Sequence, residues 1–249
     1  MLLIDADLYL YRCTTFTEQE ICWDEDDGSN IWSLDTDLKL AKEMFFDQLD
    51  TFKETLHDDR VILCISSKNN FRRDVDPRYK GNRKGVRKPL GYAAMLDWAR
   101  HTFSTVTIEG LEADDVMGIL ATKPENVGNA IIVSDDKDMK TIPTKLFRPM
   151  SGERMDVTQA EADKFFLMQC LTGDVTDGYA GLKGYGVKTA EKLLGSRPTW
   201  SLVEQAYIKA GFTKQDALTQ ARLARILRWE DWDYENKKPI LFTGKQHAA

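Results

Sequence analysis

The 249-residue sequence is poor in the residues that build soft-metal sites and covalent staples. It has four cysteines, Cys13, Cys22, Cys64 and Cys170, with no CxxC pair, and three histidines, His57, His101 and His247, none spaced as ligand pairs. These shortages argue against a disulfide framework and a zinc site, and they predict a reducing, cytoplasmic compartment. No run of about 18 apolar residues is available to span a bilayer. Asp5 and Asp7 interrupt the apolar opening MLLIDADLYLYR, so it does not read as a secretory signal. There is no fixed-period repeat, low-complexity tract or apolar heptad, and a monomer is expected. What the chain does have is 42% hydrophobic and 30% charged residues at net charge −6. That suffices for one sizeable domain or a domain with an appended module.

Short apolar runs at 2–4, 61–65, 105–109, 130–134 and 145–148 read as strands. Helical patterns lie between them at roughly 36–56, 90–102 and 112–121. The alternation predicts an α/β core over residues 1–157, with a mostly parallel central sheet and helices on both faces. From about Thr158 the pattern turns helical, which places a helical extension at 158–249 with a frayed tail, TGKQHAA.

Acids recur where strands end. Asp5 follows the first strand, Glu112, Asp114 and Asp115 follow the third and open a helix, and Asp136 and Asp138 follow the fourth. In open α/β sheets these strand ends form the binding crevice, so separate loops bring carboxylates to one edge. Any one such acid is most simply a helix cap. A whole set raises its members' pKa values by repulsion and calls for a cation. With histidine and cysteine so scarce, that ion is a hard one, Mg²⁺ or Mn²⁺. Two such ions about 4 Å apart can drive phosphodiester hydrolysis.

Residues 68–88 hold nine Lys or Arg against Asp74 and Asp76, a local charge of +7 on an acidic protein. Such a patch suits phosphate contacts, with Phe71 and Tyr79 placed to stack on bases. Residues 173–194 begin with Asp174 and Asp177 and continue through Gly181, Gly184 and Gly186 into a helix carrying Lys188 and Lys192. Glycine lets a backbone approach phosphate closely, and helix N-terminal amides bind anions. The GxxxxGK[ST] pattern is missing, so this is not an NTP-binding loop.

Taken in order, IDAD, FRRDVDPRYKGNRK, LEADDVMG, VSDDKDM and GDVTDGYAGLKGYGVKTAEKLL resemble the 5′-nuclease (flap endonuclease) family. That family includes the 5′-nuclease domain of bacterial DNA polymerase I, and the length and the YKGNRK segment look most like the small 5′→3′ exonucleases of short-tailed lytic phages. The resemblance covers roughly residues 1–195. It implies a PIN-like nuclease core, a helical arch at 68–88 and a helix-turn-helix-type DNA-binding extension. The implied activity is structure-selective hydrolysis of duplex DNA at 5′ ends, flaps and nicks, extending to RNA in RNA·DNA hybrids. The implied setting is phage replication, recombination or host DNA degradation, alongside replication proteins. By the same resemblance Asp5, Glu112, Asp114, Asp115, Asp136, Asp138, Asp174 and Asp177 hold two Mg²⁺ ions, with Mn²⁺ able to substitute. Lys80, Arg83, Asp114 and Asp115 then carry catalysis. Arg72, Arg73, Tyr79, Lys80, Arg83 and Lys84 bind DNA, with Tyr79 stacked on a terminal base. Gly181, Gly184, Gly186, Lys188 and Thr189 grip the duplex backbone, and loop carbonyls at 181–190 hold K⁺. Two departures stand out: Ser66 or Ser67 occupies a place where relatives carry an acid, and Asp7 stands where small or amide residues are common. The alternatives are a structure-selective DNA-binding protein without catalysis, which has no need of eight acids, and a PIN-type ribonuclease, which has no need of the 68–88 and 173–194 segments.

Overall fold

The computed structural model describes residues 1–23 and 31–244, so the end of the expected frayed tail, 245–249, lies outside the described residues. The order is β1 (Leu2–Asp5), α1 (Ala6–Thr17), β2 (Glu18–Cys22), β3 (Trp32–Thr36), α2 (Leu38–Leu56), β4 (Val61–Cys64), α3 (Arg72–Val75), α4 (Tyr92–Thr102), β5 (Thr105–Val106), α5 (Ala113–Thr122), β6 (Ile131–Val133), β7 (Lys145–Arg148) and β8 (Glu153–Asp156). The helical part follows as α6 (Gln159–Thr172), α7 (Val187–Leu194), α8 (Trp200–Lys209) and α9 (Lys214–Ala224), closed by the strands β9 (Trp232–Asp233) and β10 (Lys238–Pro239).

Six strands form one sheet in the order β5-β4-β1-β6-β7-β8, parallel except for the β8 edge. The period-2 side-chain alternation of a strand sorts the core into two faces. Leu2 and Ile4 face α1, α2 and α4, where Tyr9, Phe45, Leu49 and Met95 are buried. Leu3 and Ile132 face the other way, onto Val116, Met117 and Ile119 of α5. The sheet is covered on both faces, as the alternating pattern predicts.

Strand order reverses around β1, with β4 on one side and β6 on the other. The carboxyl end of β1 is therefore the switch point at which such sheets open a crevice, and Asp5 stands there. The helical extension has its own core of Phe166, Leu171, Leu194, Val203 and Tyr207. It does not stay apart from the sheet: Ile226, Leu227 and Trp232 pack into the α5 face. A side chain on Gly118, in mid-helix, would meet the Leu227 carbonyl at 2.3 Å, so this helix face is reserved for the returning backbone.

Residues 68–88 depart from the helical arch that the resemblance implies. Their helical content is the four-residue α3 and a 3-10 turn at Gly81–Arg83. The segment is a strap laid against the loop after α6: Lys80 N–H donates to Asp177 O at 2.8 Å, and Asn82 Nδ2 donates to Val175 O and Thr176 O. Three glycine or proline positions (81, 85 and 89) and dense like charge oppose a longer helix there.

Candidate metal and nucleic-acid site

The inner acids assemble at the switch point. Asp5 caps α1 by accepting from Leu8 N–H, and its other oxygen accepts from the buried Ser134 hydroxyl at 2.8 Å. Asp114 projects from the first turn of α5, and Asp136 follows β6. Burial, and then the charges of Asp7 and Asp136, push the Asp5 carboxyl up to about 7. Burial, followed by Asp136 and Asp5, holds Asp114 well above the usual carboxylate range. Among the described residues no ion pair neutralises Asp5, Asp114 or Asp136.

The remaining acids are interleaved with cations. Glu112 accepts from Lys80 Nζ at 2.6 Å and from the Tyr79 hydroxyl at 3.0 Å. Burial works against its charge, but Lys80 and Arg72 outweigh it and keep Glu112 below its ordinary value. Asp177 accepts from Arg83 at 2.9 Å, and its other oxygen lies 2.9 Å from the Tyr79 hydroxyl, whose one proton is shared between Glu112 and Asp177. Lys80 itself sits at φ 52°, in the left-handed region, a conformation that costs a non-glycine residue on the order of 1 kcal/mol and tends to persist at functional sites. Asp138 accepts from Gln169 Nε2 at 2.6 Å, and burial together with Asp136 raises it to about 6. A groove of about 330 Å³ runs along Arg83, Asp136, Asp138, Asp174 and Asp177.

Three residues stand elsewhere than the resemblance implies. Asp115, assigned to metal and catalysis, is 0% exposed and Arg72, assigned to DNA, is 2% exposed. They form a two-pronged pair at 2.7 Å and 2.7 Å, and Asp115 also accepts from Leu227 N–H and Glu112 N–H. Neither can meet a phosphate without unfolding its surroundings. Tyr79, assigned to base stacking, is 3% exposed, with its ring in the helical core. In contrast, Arg73, Arg83, Lys84, Gly184, Gly186, Lys188 and Thr189 are exposed, and Gly181 is half-buried. Gly181 has φ 62°, and a Cβ there would meet Gly173 N at 2.2 Å, so it serves a backbone crossing.

The departures at Ser66 and Asp7 turn out to be connected. Ser66 N–H donates to Asp7 at 2.8 Å, and Ala113 N–H, opening α5, donates to Ser66 Oγ at 2.9 Å. Asp7 thus puts a carboxylate beside the end of β4 from the neighbouring element, and Tyr92 OH fixes its second oxygen at 2.8 Å. Lys137, Ser134 and Gln169 escaped sequence reasoning. The first was legible as a lone cation inside SDDKDM; the other two carry no sequence signal.

Among the described residues no three acids, cysteines or histidines close into a ready metal cage. The donor set nevertheless fits a hard ion. Mg²⁺ takes one or two carboxylates and fills its other positions with water and phosphate oxygens. The unneutralised Asp5, Asp114 and Asp136 supply oxygen donors that lack a cation. This state has a measurable consequence. An acid whose folded pKa is raised contributes stability at low pH that is lost as pH rises through the folded pKa. The acids held low, Glu112 and Asp174, change stability only below about pH 4.5. In chelator, the melting temperature is expected to fall by several degrees between pH 5 and pH 8, with Mg²⁺ at pH 8 restoring it. A flat profile across that window would contradict the cation-free acid cluster.

Comparison with known proteins agrees with this geometry. Residues 1–165 match the family model described as 5′-3′ exonuclease, N-terminal resolvase-like domain. The exodeoxyribonuclease of enterobacteria phage T3 is 31% identical over 98% of this chain and 92% of its own length, and the exonuclease of Escherichia phage T7 is 31% identical over 97% and 93%. In fold, the phage T5 5′-exonuclease with bound divalent zinc matches with a TM-score of 0.64 at 15% identity, covering 90% of this chain and 88% of that one. A phage T5 flap endonuclease in complex with DNA and metal ions matches with a TM-score of 0.61 at 16% identity, covering 90% and 88%. No helix among the described residues is long and apolar enough to cross a membrane. The sheet with its switch-point acids, the matching family model and the near full-length relatives agree: this chain belongs to the 5′-3′ exonuclease family.

Proposed function

We propose that the chain is a structure-selective 5′→3′ exonuclease and flap endonuclease that hydrolyses duplex DNA, and RNA in RNA·DNA hybrids, as a monomer in the cytoplasm of a phage-infected cell. The observation that carries the reading is the trio Asp5, Asp114 and Asp136 at the switch point, free of ion pairs, beside a strap whose Lys80 and Arg83 pair instead with the neighbouring Glu112 and Asp177. A protein that only binds DNA gains nothing from setting the desolvated Asp5 and Asp114 beside Asp136 with no cation between them, an arrangement that destabilises it.

Asp5, Asp114 and Asp136, with Glu112, would hold one Mg²⁺ and Asp138, Asp174 and Asp177 a second, with Mn²⁺ able to replace either. Bound there, the ions lower the pKa of water and stabilise charge on the attacking and leaving oxygens. Lys80 and Arg83 add positive charge on the strap side, where developing charge on the phosphate is compensated by groups already in place. Tyr79 acts through Glu112 and Asp177, holding both at fixed separation. Arg73 and Lys84 meet phosphates of the passing strand. The exposed backbone at Gly184 and Gly186, with Lys188 and Thr189 at the start of α7, takes the duplex backbone, and loop carbonyls at 181–190 hold a K⁺ ion. Asp115 and Arg72 keep α5 in place and touch no substrate. Replication proteins act as partners by supplying nicked and flapped ends.

The test is product analysis on 5′-labelled flap, nicked and blunt duplexes with and without Mg²⁺. Short 5′-phosphorylated products, dependent on metal and on a 5′ end, are expected. Tight binding with no cleavage at any Mg²⁺ or Mn²⁺ concentration would overturn the reading.

A further inference from the structure

The inner and outer acids are not equivalent, and the difference lies in Lys137. Asp138 and Asp174 come from different elements, the turn after β6 and the loop after α6. Their carboxylates are partly or wholly buried, and burial with like charge between them favours separation or protonation. The chain satisfies part of each carboxylate: Gln169 Nε2 donates to Asp138, and Thr176 N–H and Asp177 N–H donate to Asp174. The position left between them is taken by Lys137, whose ammonium pairs with Asp174 and lies 3.2 Å from Asp138. The inner acids Asp5, Asp114 and Asp136 have no such occupant. Lys137 is also 57% exposed along its side chain, so its stem is free to swing.

We propose that Lys137 is a resident counter-cation of the outer acid pair, so that a divalent ion enters there only by displacing it. This rests on the reading of Asp138 and Asp174 as metal acids. It makes the two ion positions unequal: Asp5, Asp114 and Asp136 at the inner one have no ion-pair partner, with a cation, Lys80, only at Glu112, whereas at the outer one Lys137 contacts both Asp138 and Asp174. Displacement adds one net positive charge between the acids and frees an ammonium into the groove lined by Arg83 and Arg148. A substrate phosphate in that groove would accept from the freed ammonium, so ion entry and strand binding favour each other. Lys137 is in this sense a positioning residue: it sets when the outer position fills.

The test is a Mn²⁺ titration of the full chain without DNA, followed by calorimetry and by the paramagnetic signal of free ion. Two affinities are expected in the unaltered protein. Lys137→Met should tighten the weaker one by about tenfold to a hundredfold and leave the stronger unchanged, since removing a unit charge at this range relieves a few kcal/mol before screening. Lys137→Gln should do the same, whereas Lys137→Arg should keep the gap. A weaker site that is unmoved or loosened in folded Lys137→Met and Lys137→Gln proteins would overturn the inference while leaving the nuclease reading intact. Absence of any Mn²⁺ binding in the unaltered chain would overturn both.

Discussion

Asp114→Asn is expected to lower the rate of phosphodiester hydrolysis by about three orders of magnitude and, in chelator, to raise the melting temperature of the protein. The two expectations share one cause. Asp114 is an acid in the first turn of α5, desolvated and facing Asp136 and Asp5, and no hydrogen bond or ion pair to it is present among the described residues. An amide of the same shape removes the repulsion and adds a donor that Asp5 or Asp136 can accept, so the metal-free fold gains. The same change deletes the anionic oxygen with which a hard ion would be held. Single-turnover cleavage of a 5′-flap duplex, read beside melting curves with and without Mg²⁺, separates the effects. The variant should lose most of the Mg²⁺-dependent stabilisation while binding flap DNA with near-normal affinity. Turnover within a few-fold of the unaltered enzyme, or a lower melting temperature in chelator, would contradict the assignment.

The legibility of this fold and site in the sequence is clearest at particular residues. The strands ending at Asp5, Cys64 and Val133 were legible because apolar runs of four or five residues stop at polar side chains. Helix α1 leaves no such signal: Ala6–Thr17 follows β1 with no intervening loop, and its apolar positions are too evenly mixed with polar ones for a helical stripe to show. The β2–β3 hairpin lay equally hidden, since Glu18–Cys22 and Trp32–Thr36 lack a strict alternation of buried and exposed positions. Likewise β9 and β10, two residues each, interrupt an extension that reads as wholly helical. At the site, acidity was visible but pairing was not. Sequence spacing puts Glu112 and Asp115 on one helix face, and they do meet, through the Glu112 N–H. It cannot say that an arginine 43 residues upstream will claim Asp115, because that partnership depends on where the strap and the chain after α9 fold back together. A run of nine cations likewise reads as one solvent-facing patch. Its first tight pair, Arg72 and Arg73, splits instead, one side chain entering the core and the next staying in water.

That split leads to the second large effect. Arg72→Met is expected to cost about 3–5 kcal/mol, the usual result of stranding one member of a buried ion pair, and to lower the melting temperature on the order of 10 °C. The Arg72 guanidinium does more than neutralise Asp115. Its Nε donates to Leu223 O at 3.0 Å and one Nη to Arg225 O at 2.6 Å, which are the carbonyls where α9 ends. Asp115 in turn accepts from Leu227 N–H at 3.1 Å. One buried pair therefore ties the strap, helix α5 and the segment after α9 to one another, while Arg72 Nη1 also reaches Glu112 at 3.4 Å. Replacing both members, Arg72→Met with Asp115→Leu, removes the stranded charge and should recover most of the melting temperature. It should not recover the cleavage rate, because Glu112 loses both the arginine beside it and the carboxylate that accepts its N–H. A phosphate-contacting arginine would behave oppositely, with weaker, less salt-dependent DNA binding and an unchanged melting temperature. Melting curves and salt-dependent affinities for the single and double variants thus decide whether Arg72 serves the fold or the substrate. The buried geometry requires that it serve the fold, and that it reach the chemistry only through Glu112.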